Sequence, residues 1–210
     1  MSMSIMKECS SDPGPARSTL NITPFEIRYL KYSWEKASST MDIGCELVAR
    51  LLNDNRTRFR ALIESHSGDL LGSANFAAED VKKFRRARSV AHGVVMFFNQ
   101  VISELDEPNS ADFIAVISQR LGASHFRMKV WFQAENWLCV KNCLLDTIMA
   151  ALQVKKTTSF ACGKTISMSD KKAREVWYKV IQFVIQNMKR GFLAEALSAD
   201  NTSTSSSSSE

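Results

Sequence analysis

The sequence predicts an all-α domain. Apolar residues make up 45% of its 210 positions, and from about residue 22 to residue 192 they recur at spacings of three and four. Turn-formers are scarce, with 8 Gly and 4 Pro, which disfavours a fold of many short strands. No segment shows convincing alternation with the two-residue period of a half-buried strand.

The elements follow in order. Thr23, Pro24 and Glu26 have the T-x-x-E pattern of a capping box with proline at the first helical position, and Ile27, Leu30 and Trp34 continue it as a helix. Ile43, Leu47, Val48, Leu51 and Leu52 mark a second helix that ends near "NDNR". After a loop containing "SHSGDLLGSAN", the longest continuous pattern runs from about Ala78 to Leu105, with Pro108 beyond it. Ser110 is placed to cap a further helix carrying Phe113, Val116, Ile117 and Leu121. Trp137, Leu138, Leu144, Leu145, Ile148 and Leu152 belong to another. The last helix starts near Asp170 and is apolar nearly all round through Val176, Trp177, Val180, Ile181, Val184 and Met188, which predicts burial on several sides.

Length and periodicity indicate one domain over residues 22–192, with a flexible extension at 1–21 and a serine-rich tail at 193–210 that carries too little apolar surface to order itself. No apolar run approaches the roughly 20 residues that cross a bilayer. Five cysteines, Cys9, Cys45, Cys139, Cys143 and Cys162, are an odd number with no secretory pattern before them, which suggests free thiols and a cytoplasmic location. Cys139 and Cys143 lie four apart on one helix, and no catalytic role is assigned to any of the five. A net charge of +5 is mixed with both signs along the chain and identifies no nucleic-acid partner. The basic run "VKKFRRAR" reads as a solvated helix face.

Histidine is the informative residue. The chain has three, and two of them, His92 in "SVAHGVVMFF" and His125 in "ISQRLGASHF", stand inside apolar helical patterns. Arg88, His92 and Met96 stack at four-residue spacing, as do Leu121 and His125. Each imidazole is either a core histidine satisfied by a hydrogen bond or a metal ligand. Two histidines do not complete a tetrahedral zinc site, whereas a planar macrocycle needs only one or two axial ligands from protein.

The segments "YLKYSWEKA", "GCELVARLL", "VAHGVVMFF", "RLGASHFRMKV" and "VWYKVIQFVIQNMKRGF", in that order, resemble the globin family, nearest to neuroglobins and nematode globins, over about residues 22–192. The resemblance implies six to eight helices packed around a haem pocket, with haem b (iron protoporphyrin IX) as cofactor. It implies His125 as the proximal iron ligand and His92 as the distal histidine, with Leu121, Met96, Val130 and Val48 around the porphyrin. An ungapped match puts Leu62 where the family stacks a phenylalanine and Phe59 three residues early, so one or the other touches the haem. Arg88 and Lys129 are placed to reach the haem propionates from opposite sides.

The resemblance further implies binding of dioxygen or another diatomic gas, as in oxygen transport. His92 either donates a hydrogen bond to that ligand or occupies the iron itself in a bis-histidyl, hexacoordinate resting state. The alternative is a redox, electron-transfer or gas-sensing protein that reports to a protein partner, and a third reading is a haem-free helical interaction module.

Overall fold

The computed structural model describes residues 19–67, 72, 75–130, 134–154 and 166–205. Among these it contains eight α-helices and no strand: α1 (Pro24–Ser38), α2 (Ile43–Asn53), α3 (Phe59–Ser67), α4 (Ala78–Val81), α5 (Arg85–Ser103), α6 (Ser110–Arg127), α7 (Ala134–Val154) and α8 (Asp170–Ser205). A 3₁₀ turn at Glu104–Asp106 closes α5. Residues 1–18, most of "SHSGDLLGSAN" and the 155–165 part of "VKKTTSFACGKTISM" lie outside the described residues.

The capping box forms in full. The Thr23 side chain accepts from the Glu26 backbone N–H at 3.2 Å and the Glu26 carboxylate accepts from the Thr23 N–H at 2.8 Å. Glu26 is only 4% exposed, and its carboxylate also meets Lys179 and Lys172 of α8 at 3.1 and 3.2 Å. Burial pushes its pKa up, but the Thr23 hydrogen bond and the two ammonium groups outweigh that and hold it at about 2. Asp42 caps α2 by accepting from the Cys45 N–H at 3.0 Å.

Four details depart from the sequence pattern. The stretch from Ala78 to Leu105 is broken after Val81, where Phe84 becomes extended and packs edge-on against Phe76 at 5.9 Å. That break is tertiary, since neither glycine nor proline marks it. Phe59 begins an additional helix, α3. Ser110 is the first residue of α6 rather than its cap, which is Asn109 without a side-chain bond. The final helix runs on to Ser205, well into the expected tail.

Trp177 of α8 is wholly buried at the centre of the core, and its indole N–H donates to Ser33 Oγ at 3.1 Å. The Trp34 indole donates to Asn99 Oδ1 at 2.7 Å and tilts against both Trp177 and Phe98 at 5.9 Å. Two helix pairs carry the packing, α6 with α8 and α2 with α5. Both depend on missing side chains. A Cβ on Gly122 would lie 1.9 Å from the Met188 carbonyl oxygen of α8, and one on Gly191 would lie 1.9 Å from that of Gln119 on α6. A Cβ on Gly44 of α2 would lie 2.4 Å from the Ala91 carbonyl oxygen of α5. No described helix is long and apolar enough to cross a membrane.

Candidate functional site

Between these helix pairs lies a cavity of about 390 Å³. Leu47, Val48 and Leu51 of α2 line it with Phe59, Leu62 and Ile63 of α3; Trp137, Val140 and Leu144 of α7 and Ile181, Val184, Ile185 and Met188 of α8 complete the apolar wall. α5 contributes Arg86, Ser89, Val90, Gly93, Val94 and Phe97, a face that advances by three and four residues. The end of α6 supplies Leu121 and His125, followed by Met128 and Val130.

His125 is oriented by its own helix. Its Nδ1 lies 2.7 Å from the Leu121 carbonyl oxygen, one turn earlier. A carbonyl only accepts, so Nδ1 carries the proton and the lone pair of the neutral ring is on Nε2. Desolvation lowers the His125 pKa; the Leu121 hydrogen bond opposes this, and the charge of Arg86 adds to it. The net effect favours the neutral, ligating form.

The exit from α6 returns the chain to the cavity. Lys129 N–H donates to the Phe126 carbonyl at 2.8 Å and Val130 N–H to the His125 carbonyl at 2.9 Å, the paired bonds of a Schellman cap. Lys129 stands in the left-handed region with φ 57° where glycine is usual, and Val130 folds back under the helix, buried.

Apart from His125, the side chains on the wall with polar groups are Arg86, Ser89 and the Trp137 indole. Arg86 makes no ion pair among the described residues, and it is half-buried at the wall. The site therefore combines one basic nitrogen ligand, one guanidinium and an apolar enclosure. That set suits an apolar ligand that carries an anionic group and an acceptor for a nitrogen lone pair.

No protein-family model matches the sequence, and no curated protein is similar to it. Solved structures are similar. A hexa-coordinate haemoglobin of Drosophila melanogaster superposes with a TM-score of 0.57 at 18% identity, over 80% of this chain and 93% of that one. A hexacoordinated haem protein from an anhydrobiotic tardigrade superposes with a TM-score of 0.60 at 14% identity, over 82% of this chain and 96% of that one. The chain has the globin fold.

Within that globin fold, the residues singled out from sequence divide into two groups. His125, Leu121, Val130, Val48, Phe59 and Leu62 all line the cavity, so Phe59 and Leu62 share the wall rather than replacing each other. His92, Met96, Arg88 and Lys129 do not line it and are exposed, Met96 by 53%. The expectation that His92 points into the core is therefore corrected. Ala91 is the residue that meets Gly44 where α2 crosses α5, and one residue further along a helix is a turn of about 100°. Gly93 and Val90 take the cavity side, while His92 falls on the solvent side.

Arg88 and Lys129 likewise stand off the cavity wall. The Arg88 side chain reaches back to the Lys82 carbonyl at 3.5 Å, and the left-handed turn at Lys129 keeps that residue on the surface. Arg86, counted from sequence in a solvated basic face, is the cation at the wall. The side chain of His66, the third histidine, lies outside the described residues. The signal for the true α5 face was present in the small residues Gly44, Ala87 and Ala91, which allow close helix approach.

Proposed function

We propose that the chain is a haem-binding globin that takes dioxygen or another diatomic ligand at iron, with His125 Nε2 as the protein's iron ligand. The observation that carries this reading is a neutral imidazole, its tautomer set by Leu121, on the wall of an apolar cavity of about 390 Å³. Haem b, when bound, supplies an iron centre that exchanges a small ligand or an electron. The Leu121 carbonyl orients the imidazole, and buried Val130 lines the cavity at the helix exit. Arg86 offers a charge-assisted hydrogen bond to a porphyrin carboxylate.

On the α5 wall, Val90, Val94 and Phe97 present apolar surface to the cavity, and Gly93 has nothing within 4 Å of where its Cβ would be. No histidine stands on that side among the described residues. Ser89 is the hydroxyl available there to a bound ligand. The α5 wall therefore offers no second imidazole to a bound haem.

A second reading is favoured by the hexacoordinate state named for both similar structures. His92 precedes Gly93, so a rotation of α5 by about 100° would bring its imidazole to the cavity and make the iron bis-histidyl. External ligands would then compete with His92. The visible spectrum of the deoxygenated ferrous protein separates the two. We expect one broad visible band, unchanged in His92→Leu. Sharp, split bands that broaden in His92→Leu would establish the second reading instead.

A further inference from the structure

Beside the cavity, but not on its wall, α7 meets the end of α2. Cys139 and Cys143 are four apart and share one face of α7, and Asp54 is the residue that ends α2. Cys139 Sγ lies 3.1 Å from Asp54 Oδ2 and 3.7 Å from Cys143 Sγ, and one donor atom from each residue falls within 4.8 Å of the others. Tetrahedral zinc with thiolates at about 2.3 Å and a carboxylate oxygen at about 2.0 Å requires S···S near 3.8 Å and S···O near 3.5 Å. The Cys139–Cys143 and Cys139–Asp54 spacings are within a few tenths of an ångström of these values.

We propose that Asp54, Cys139 and Cys143 form a binding site for zinc, with solvent as the fourth ligand. The carboxylate is already aimed. Arg56 holds Oδ1 through its backbone N–H at 2.9 Å and its Nε at 3.0 Å, and Oδ2 through a terminal guanidinium nitrogen at 2.7 Å. It acts as the outer partner that orients a ligating carboxylate. Its side chain is 84% exposed, so water screens its repulsion of an incoming cation.

The charges and protons balance. Two thiols each lose a proton as two sulfur–zinc bonds form, and the carboxylate is ionised beforehand. Two thiolates and a carboxylate then face a divalent cation and one guanidinium, with no net charge. In the metal-free chain the Cys139 S–H donates to Asp54, and zinc replaces that proton between the same two atoms. Softness favours zinc over magnesium or calcium, which need oxygen ligands.

The full chain, reduced with a phosphine and freed of chelators, would be titrated with zinc by calorimetry in buffers of different ionisation enthalpy, and the loaded protein measured at the zinc X-ray edge. We expect one saturable site, release of about two protons per zinc, and two sulfur neighbours at about 2.3 Å with one or two oxygens. Cys139→Ser/Cys143→Ser should bind at least about 100-fold more weakly although Cys9, Cys45 and Cys162 remain. Cys143→Ala, at a half-buried helical position that tolerates alanine, should keep the helical circular dichroism and lose one sulfur from the shell. Absence of saturable uptake, equal uptake by the double variant, or a shell of oxygen and nitrogen alone would overturn the proposal. None of these outcomes depends on haem.

Discussion

Glu26 joins the two ends of the fold through a single carboxylate, capping α1 while pairing with Lys172 and Lys179 at the start of α8. Because its pKa falls from an ordinary 4.5 to about 2, its contribution to stability is complete above about pH 4.5 and is lost as pH falls through about 2. Glu26→Gln should cost about 2 kcal/mol at neutral pH, with the difference from wild type shrinking across that window, as measured by urea unfolding at stepped pH. An undiminished difference at pH 2 would show that the charge is not what matters. The capping box was legible from three residues, whereas the lysine partners some 150 positions away were not. Nothing local encodes them. The same limit applies to Arg86, whose place in a run of five cations concealed that its side of the helix faces the cavity.

Most helices were readable from period, but α3, the break between α4 and α5 and the rotation of α5 were not. On α6, Leu121 and His125 reach the cavity as their spacing suggested, whereas Phe113 and Val116 of the same apolar pattern are exposed and Ile114, Ser118 and Gly122 are buried instead. α5 has apolar residues on more than one side, including the exposed Met96, so its pattern fits more than one rotation. The deciding contact, Gly44 against Ala91, belongs to no single helix. Two substitutions probe this scale. Lys129→Gly should stabilise the protein by about 1 kcal/mol in thermal unfolding, because it relieves the left-handed residue of the α6 cap; a loss of stability would mean that the lysine side chain has a compensating role. Gly191→Ala should destabilise by about 3 kcal/mol, since its Cβ meets backbone rather than a yielding side chain. A neutral result would show that α6 and α8 approach less closely than described.

At the scale of the whole molecule, the fold class and the place of Leu121 and His125 on the cavity wall follow from the order and spacing of helical segments, because those are constraints that a single chain displays directly. The other side of the cavity depends on how α2, α3 and α5 rotate against one another, which is a property of their assembly. The central claim is that this assembly presents His125 to a haem. It is tested most directly by titrating the full chain with haem and following the Soret band in wild type, His125→Gly and His125→Gly with added imidazole. Saturation at one haem per chain, a weakened and altered spectrum in His125→Gly, and its restoration by imidazole are the expected results. A Soret band unaffected by loss of His125, or no saturable uptake of haem by the wild-type chain, would contradict the role assigned to that residue.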